Sequence, residues 1–203
     1  MKWWKFFIVA IGMVVGMSCF VTRVHATSAT EIPISGVGQY STIVNNKLYV
    51  PTGNGLVYVI DTTTDTNIAT ISVGSSPINS ATVGSKVYVV NQGSNSVSVI
   101  DSTTDTVTAT ISVGSTPNGI VTVGSKIYVV NRGSNSVSVI NSSTDTVIST
   151  ISVGNLPELC FVANNKVYVL GLGFPHTISV INTTTDTVSS TISARNFPYY
   201  AAV

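Results

Sequence analysis

The sequence predicts an all-β fold made of tandem units that each contain four strands. Three markers recur in a fixed order: a Lys-aliphatic-Tyr triplet, an Ile-Asp or Ile-Asn pair, and a proline. The triplets begin at Lys47, Lys86, Lys126 and Lys166, in steps of 39, 40 and 40 residues. Such regular spacing is typical of proteins in which each repeat forms one supersecondary unit.

The other two markers follow the same spacing. The Asp or Asn of the second marker occurs at Asp61, Asp101, Asn141 and Asn182, and the proline occurs at Pro77, Pro117, Pro157 and Pro198. Only the distance from the tyrosine to this Asp or Asn varies, from 12 to 14 residues. The variable connection therefore follows the tyrosine strand, where an exposed hairpin loop tolerates changes in length.

Each unit contains four strand-like segments and no helical period. In the second unit we predict strand A at Ile78–Val83, strand B at Lys86–Asn91, strand C at Ser96–Asp101 and strand D at Thr106–Val113. Strand B is apolar on both faces and must be covered on both sides. Strand D alternates apolar residues with Thr or Ser, as a half-solvated outer strand does.

Four strands in about 40 residues, repeated in tandem, are typical of the blades of a β-propeller, because stacked blades cover both apolar faces of each small sheet. A parallel β-helix is the competing architecture, but its coil is shorter and lacks four strands per turn. We therefore predict an all-β β-propeller of four-stranded antiparallel blades. Its complete repeat units span residues 38–76, 77–116, 117–156 and 157–197.

The residues of the second unit resemble the YVTN-type β-propeller repeat. The resemblance is carried by Lys86–Asn91, by Ser96–Asp101 and by the Val-Gly-x-x-Pro motif that ends at Pro117. It covers nearly all of the chain after residue 26, and it implies an exported bacterial protein or an archaeal surface-layer-like protein. Rings of this family usually have seven blades, and the four complete units of this sequence depart from that number.

The two ends of the repeat region leave ring closure open. Glu31–Gly38 matches a D strand, and Pro198–Val203 begins an A strand. The four blades could close by themselves, two chains could share an eight-bladed ring, or the chain could form an open arc. An open arc would leave two apolar faces bare, which favours self-association.

Residues 1–26 have the pattern of a signal peptide. A positive start precedes the apolar stretch Phe6–Val21, and a small-residue cleavage pattern ends at Ala26. An uncleaved anchor is the alternative, but the stretch is shorter than the roughly 20 residues of a spanning helix. Lipoprotein processing at Cys19 is disfavoured by Gly16, which stands where a large aliphatic residue is expected. We expect a secreted, periplasmic or cell-surface domain over residues 27–203, without a membrane span after cleavage.

Composition and motifs exclude several classes of function. Beyond residue 26 the formal charge is −2, which argues against nucleic-acid binding through a basic surface. The same part contains one histidine, His176, and one cysteine, Cys160, and no hydrolase, zinc-protease or nucleotide-loop motif. Cys160 stands where Ile120 stands in the preceding unit, so we interpret it as a small buried residue. We expect no enzyme activity, cofactor or metal.

The loops that join B to C and D to A should share one rim of the propeller, and they vary between units. The predicted binding residues on this rim are Arg132, Glu158, His176, Arg195 and Tyr199, together with nearby phenylalanines. Exposed aromatic and charged side chains around a channel mouth can orient a ligand. The alternative is that the repeat sequence becomes less regular near its end, and that these residues only cap the last blade.

The opposite rim is regular, and its aspartates could suggest calcium. We instead interpret Asp61, Asp65, Asp101 and Asp105 as acceptors of turn-closing backbone hydrogen bonds. Asn141 and Asn182 replace the first aspartate in later units, so that position needs an acceptor and not a charge.

The expected function is therefore non-catalytic binding of a protein, glycan or cell-envelope partner. One alternative is a structural, self-associating envelope component, which includes a homodimer that completes a ring. Another is an accessory to a periplasmic redox enzyme.

Overall fold

The computed structural model describes residues 40–194, and every regular element in this range is a β-strand. The strands are β1 Thr42–Val44, β2 Lys47–Thr52, β3 Leu56–Asp61, β4 Thr66–Ser72, β5 Pro77–Val83, β6 Lys86–Asn91, β7 Ser96–Asp101, β8 Thr106–Ser112, β9 Pro117–Val123, β10 Lys126–Asn131, β11 Ser136–Asn141, β12 Thr146–Ser152, β13 Pro157–Ala163, β14 Lys166–Gly171, β15 Thr177–Asn182 and β16 Thr187–Ser193. Within these residues no helix has the length and apolar character needed to cross a bilayer.

The strands form four antiparallel sheets of four, each in chain order, which confirms the predicted all-β propeller blades. Blade 1 contains β1–β4, blade 2 β5–β8, blade 3 β9–β12 and blade 4 β13–β16. In blade 2 the predicted bounds differ from the observed ones by one residue at each of two ends. Strand A begins at Pro77, one residue earlier than predicted, and strand D ends at Ser112, one residue earlier than predicted.

The blades pack face to face through apolar side chains of alternating strand positions. Tyr88 and Val97 of blade 2 contact a cluster that includes Ile127 and Val129 of blade 3, and all four side chains are fully buried. Val87 lies on the opposite face of blade 2 and is buried against blade 1. Strand B is therefore covered on both sides, as its composition predicts.

A polar contact, which we call the inter-blade clamp, joins each pair of adjacent blades. Lys86 Nζ donates to Asp145 Oδ2 at 2.7 Å and to the carbonyl of Ser142 at 2.8 Å, and Tyr88 Oη donates to Asp145 Oδ1 at 2.8 Å. Burial, and then the Asp145 carboxylate, raise the pKa of Tyr88. The same clamp connects Lys47 and Tyr49 to Asp105, and Lys126 and Tyr128 to Asp186.

The C-to-D turns correct one sequence interpretation. Asp101 Oδ1 accepts the backbone N–H of Thr103 at 2.7 Å, and Asn141 and Asn182 make the same bond in later blades, so the first acceptor closes the turn as predicted. The interpretation was wrong for Asp105. Asp105 has a left-handed backbone (φ 54°), and its carboxylate accepts hydrogen bonds from Lys47 and Tyr49 of blade 1 instead of from its own turn.

The two rims also match the prediction. The N–H of Gln92, in the B-to-C loop, donates to the carbonyl of Ser76 in the D-to-A loop at 3.0 Å, and we call this side the variable rim. The N–H of Ser102, in the C-to-D turn, donates to the carbonyl of Ser85 in the A-to-B turn at 2.9 Å, on what we call the regular rim.

The described residues form an open arc, in the order blade 1 to blade 4. Within residues 40–194, the main contacts between strands of different blades join blade 1 to blade 2, blade 2 to blade 3 and blade 3 to blade 4. Ile192 shows the consequence, because it is 48% exposed whereas Ile71, Ile111 and Ile151 at the same position are 6–7% exposed. The predicted partial strands, Glu31–Gly38 and Pro198–Val203, and the predicted signal peptide lie outside the described residues.

We predict that Gly114→Ala lowers the free energy of unfolding by about 1–3 kcal/mol, because a Cβ there would lie 2.6 Å from Asn131 Cγ. Chemical unfolding followed by circular dichroism measures the change. Gly53→Ala is the matched control, since no atom lies within 4 Å of its Cβ position. Equal losses in the two variants would show that the close contact with Asn131 is not the reason for glycine at position 114 of the Val-Gly-x-x-Pro motif.

We predict that stability falls as the pH rises above about 10, the ordinary pKa of tyrosine. Because the fold raises the pKa of Tyr88, its contribution is complete below the unfolded-state pKa and is lost as the pH rises toward the folded-state pKa. Tyr88→Phe should lower stability by about 1–2 kcal/mol at neutral pH and make the alkaline decline shallower. Urea unfolding across this pH range tests both effects, and Tyr40→Phe, at a tyrosine that is 40% exposed, is the matched control for the loss of stability at neutral pH.

Candidate functional site

Arg132 and Glu158 meet on the variable rim, where blades 3 and 4 adjoin. Arg132 Nε lies 2.8 Å from Glu158 Oε2, and Asn118 Nδ2 donates to Glu158 Oε1 at 2.6 Å. Glu158 Oε2 is buried but has no aligned hydrogen bond, so its contact with Arg132 is ionic. The Arg132 side chain is 45% exposed and that of Glu158 28%, which leaves the guanidinium accessible from solvent.

Backbone geometry sets the position of Glu158. The register of β13 shifts between Pro157 and Leu159, and this bulge leaves Glu158 outside the ladder with β14. Gly119 of β9 permits close approach of the two inner strands, because a Cβ there would lie only 3.0 Å from the carbonyl oxygen of Glu158. The carboxylate is therefore held at the inner edge of the rim.

A second group of side chains lies in the β14–β15 loop of blade 4. The N–H groups of Leu172 and Gly173 donate to the carbonyls of Leu156 and Asn155 at 2.9 and 3.0 Å, which fastens the loop to the preceding D-to-A connection. Phe174 is 87% exposed, and its ring meets that of His176 edge to face with centroids 6.2 Å apart. The loop thus presents an aromatic side chain directly to solvent.

The predicted site residues are brought together in part. Arg132 and Glu158 are in direct contact, and His176 lies on the same rim in blade 4. Arg195 and Tyr199 lie outside the described residues. Asn118 was missed by the sequence analysis, although it stands one repeat before Glu158 in place of Ile78, and this change from an apolar residue could have signalled it.

Cys160 has the buried role that the sequence predicts. It is 8% exposed, faces the interface with blade 3 and is a free thiol. Burial raises the pKa of this thiol to about 12, so little thiolate exists near neutral pH. Among residues 40–194 no three His, Cys, Asp or Glu side chains are grouped so that they could hold a metal ion.

Comparison with solved structures shows the fold. The chain is similar to hydrazine synthase of Kuenenia stuttgartiensis, with a TM-score of 0.71 and 22% identity over 77% of this chain and 49% of that one. It is also similar to a functionally unknown protein from Desulfotomaculum acetoxidans DSM 771, with a TM-score of 0.69 and 16% identity over 83% and 60% of the two chains. A chain of the Mitotic Checkpoint Complex has a TM-score of 0.73 and 16% identity over 84% and 56%.

These neighbours are β-propeller-like, and at such low identity they establish the architecture alone. This chain spans between 49% and 60% of their length. No protein-family model matches the sequence, and comparison with curated proteins gives no match, so the resemblance to the YVTN-type repeat stays a prediction.

We predict that Arg132→Gln and Glu158→Gln each lower the free energy of unfolding by less than about 1 kcal/mol, because a solvent-accessible ion pair contributes little. Asp186→Asn at the same blade interface should cost about 1–3 kcal/mol, because it weakens the clamp with Lys126 and Tyr128. Thermal and urea unfolding provide the comparison. A larger loss from the rim variants than from Asp186→Asn would indicate that the rim pair only caps the repeat.

Proposed function

We propose that this protein is an exported, non-catalytic β-propeller that binds a protein partner through its variable rim. The observation that carries this proposal is the 87% exposure of Phe174 on the rim that also presents the Arg132 guanidinium. Aromatic and arginine side chains are enriched among the residues that dominate protein interfaces. The Glu158 carboxylate would hold the guanidinium in place before the partner arrives, which lowers the ordering cost of binding.

The partner would meet the protein in the periplasm, at the cell surface or outside the cell. This part of the proposal is supported by the signal-peptide pattern of residues 1–26. A glycan is the alternative ligand of the same rim, because exposed aromatic rings can stack on sugars while charged groups accept or donate hydrogen bonds. The non-catalytic role is supported by the burial of Cys160, which removes the most nucleophilic side chain of the described residues from solvent.

A structural role in the cell envelope is the second candidate. It is favoured by the apolar faces that blades 1 and 4 leave open, since such faces promote association. An accessory role beside a periplasmic redox enzyme has weaker support, because the similarity to hydrazine synthase is one of fold.

We predict that a photo-crosslinking amino acid in place of Phe174 captures a discrete partner in intact cells, because this side chain is exposed on the variable rim. Adding Arg132→Gln to the same chain should reduce the yield at least several-fold. Immunoblotting and mass spectrometry of the crosslinked species provide the measurement.

The matched control carries the same probe at Thr104, which is exposed on the regular rim. Equal products from both positions, or no product from position 174, would contradict the proposal. Capture of a second copy of the chain from position 174 would instead favour the structural role.

A further inference from the structure

Within residues 40–194, blades 1 and 4 carry the two unpaired halves of the inter-blade clamp, and we propose that these halves join between two copies of the chain. Blade 4 of each copy would pack on blade 1 of the other, which gives a closed ring of eight blades. The contact would form between the faces of the terminal blades, and it does not depend on whether the variable rim binds a partner.

Blade 4 presents the donor half of the clamp. Lys166 and Tyr168 stand where Lys126 and Tyr128 stand in blade 3. Lys126 is half-buried and Tyr128 fully buried, whereas Lys166 is exposed and Tyr168 only half-buried. Within residues 40–194 no carboxylate pairs with Lys166, although each of the other three clamp lysines has one.

Blade 1 presents the acceptor half. Asp65 occupies the C-to-D turn position of Asp105, Asp145 and Asp186, and it has the same left-handed backbone, with φ 54° against 54°, 52° and 53°. The three clamped carboxylates are 13–17% exposed, whereas Asp65 is exposed. Asp61 closes the turn by accepting the N–H of Thr63 at 2.7 Å. The acceptor is therefore already formed in the shape that the other clamps use.

The apolar faces around the two halves are complementary in the same way. On blade 1, Leu48 is half-buried, whereas its counterparts Val87 and Ile127 are fully buried against a preceding blade. On blade 4, Ile192 is 48% exposed, whereas its counterpart Ile151 is 7% exposed against a following blade. Stacking blade 4 on blade 1 would thus rebuild the kind of apolar cluster that fills the three internal interfaces.

Charge complementarity favours a second copy as the occupant. A lysine on one end and an aspartate on the other end of the same chain make the contact heterologous, so every open assembly retains one unpaired donor and one unpaired acceptor. Closure by two copies pairs both, and two-fold closed oligomers are the commonest kind. Each copy completes the interface of the other.

The test is a charge-exchange experiment on the protein purified after export with its own leader. Size exclusion with light scattering should give a dimer for the unaltered chain. Lys166→Glu alone and Asp65→Lys alone should each give monomers, because each places like charges at both contacts. An equimolar mixture of the two variants should restore the dimer, because one contact is then native and the other has exchanged charges.

Thr104→Lys is the matched control, because it adds a charge to an exposed position of the regular rim outside the proposed contact. Circular dichroism should show the same fold for all variants. Because a lysine is disfavoured at a left-handed backbone position, Asp65→Asn and Lys166→Gln provide a second pair. These neutral variants should raise the dimer dissociation constant at least tenfold.

Three results would overturn the proposal. The first is a folded monomer of the unaltered chain. The second is a dimer that survives both single charge reversals, which would locate the contact elsewhere. The third is a mixture of the reversed variants that stays monomeric although each is folded, since opposite charges would then fail to rescue the contact.

Discussion

A lysine and a tyrosine two residues apart hold each blade to the carboxylate of the next, and the architecture depends on this contact. Because strand side chains alternate, Lys86 and Tyr88 face blade 3 while Val87 faces blade 1. One short strand therefore contributes to two interfaces. Apolar burial provides most of the stabilisation, but it is non-directional. The clamp adds direction, since it forms only when the turn carrying Asp145 lies over Lys86 and Tyr88.

The same contact explains why the two rims differ. Each C-to-D turn on the regular rim must supply both an acceptor that closes the turn and a left-handed aspartate for the clamp, as Asp101 and Asp105 do. This double requirement leaves little room for change. The longer loop of blade 4 on the variable rim is joined to the adjoining connection by the backbone N–H groups of Leu172 and Gly173, and such bonds do not fix the side chains of the loop. Arg132 and Phe174 lie in loops of the variable rim, so the candidate binding surface is on the side of the fold whose loops differ most between blades.

Within residues 40–194, all four ion pairs join neighbouring blades. Only 8% of the residues are charged, yet three of the eight acidic residues form clamps within the described arc. Asp65 and Lys166 have the same positions in their blades but no adjoining blade in the arc. The internal interfaces therefore show what the terminal faces would require of a partner: an apolar surface with the opposite half of the clamp.

The repeat, the four strands of each unit, the two rims and the buried position of Cys160 could be predicted from the sequence. These features follow from local patterns, namely two-residue alternation, turn-forming residues and a fixed repeat length. The partners of Asp105 and Glu158 could not be predicted in this way, because they come from neighbouring blades. Asp105 binds Tyr49, 56 residues away, and Glu158 contacts Arg132 of the preceding blade. Such pairings depend on how successive blades are rotated and stacked, which the pattern within one repeat does not contain.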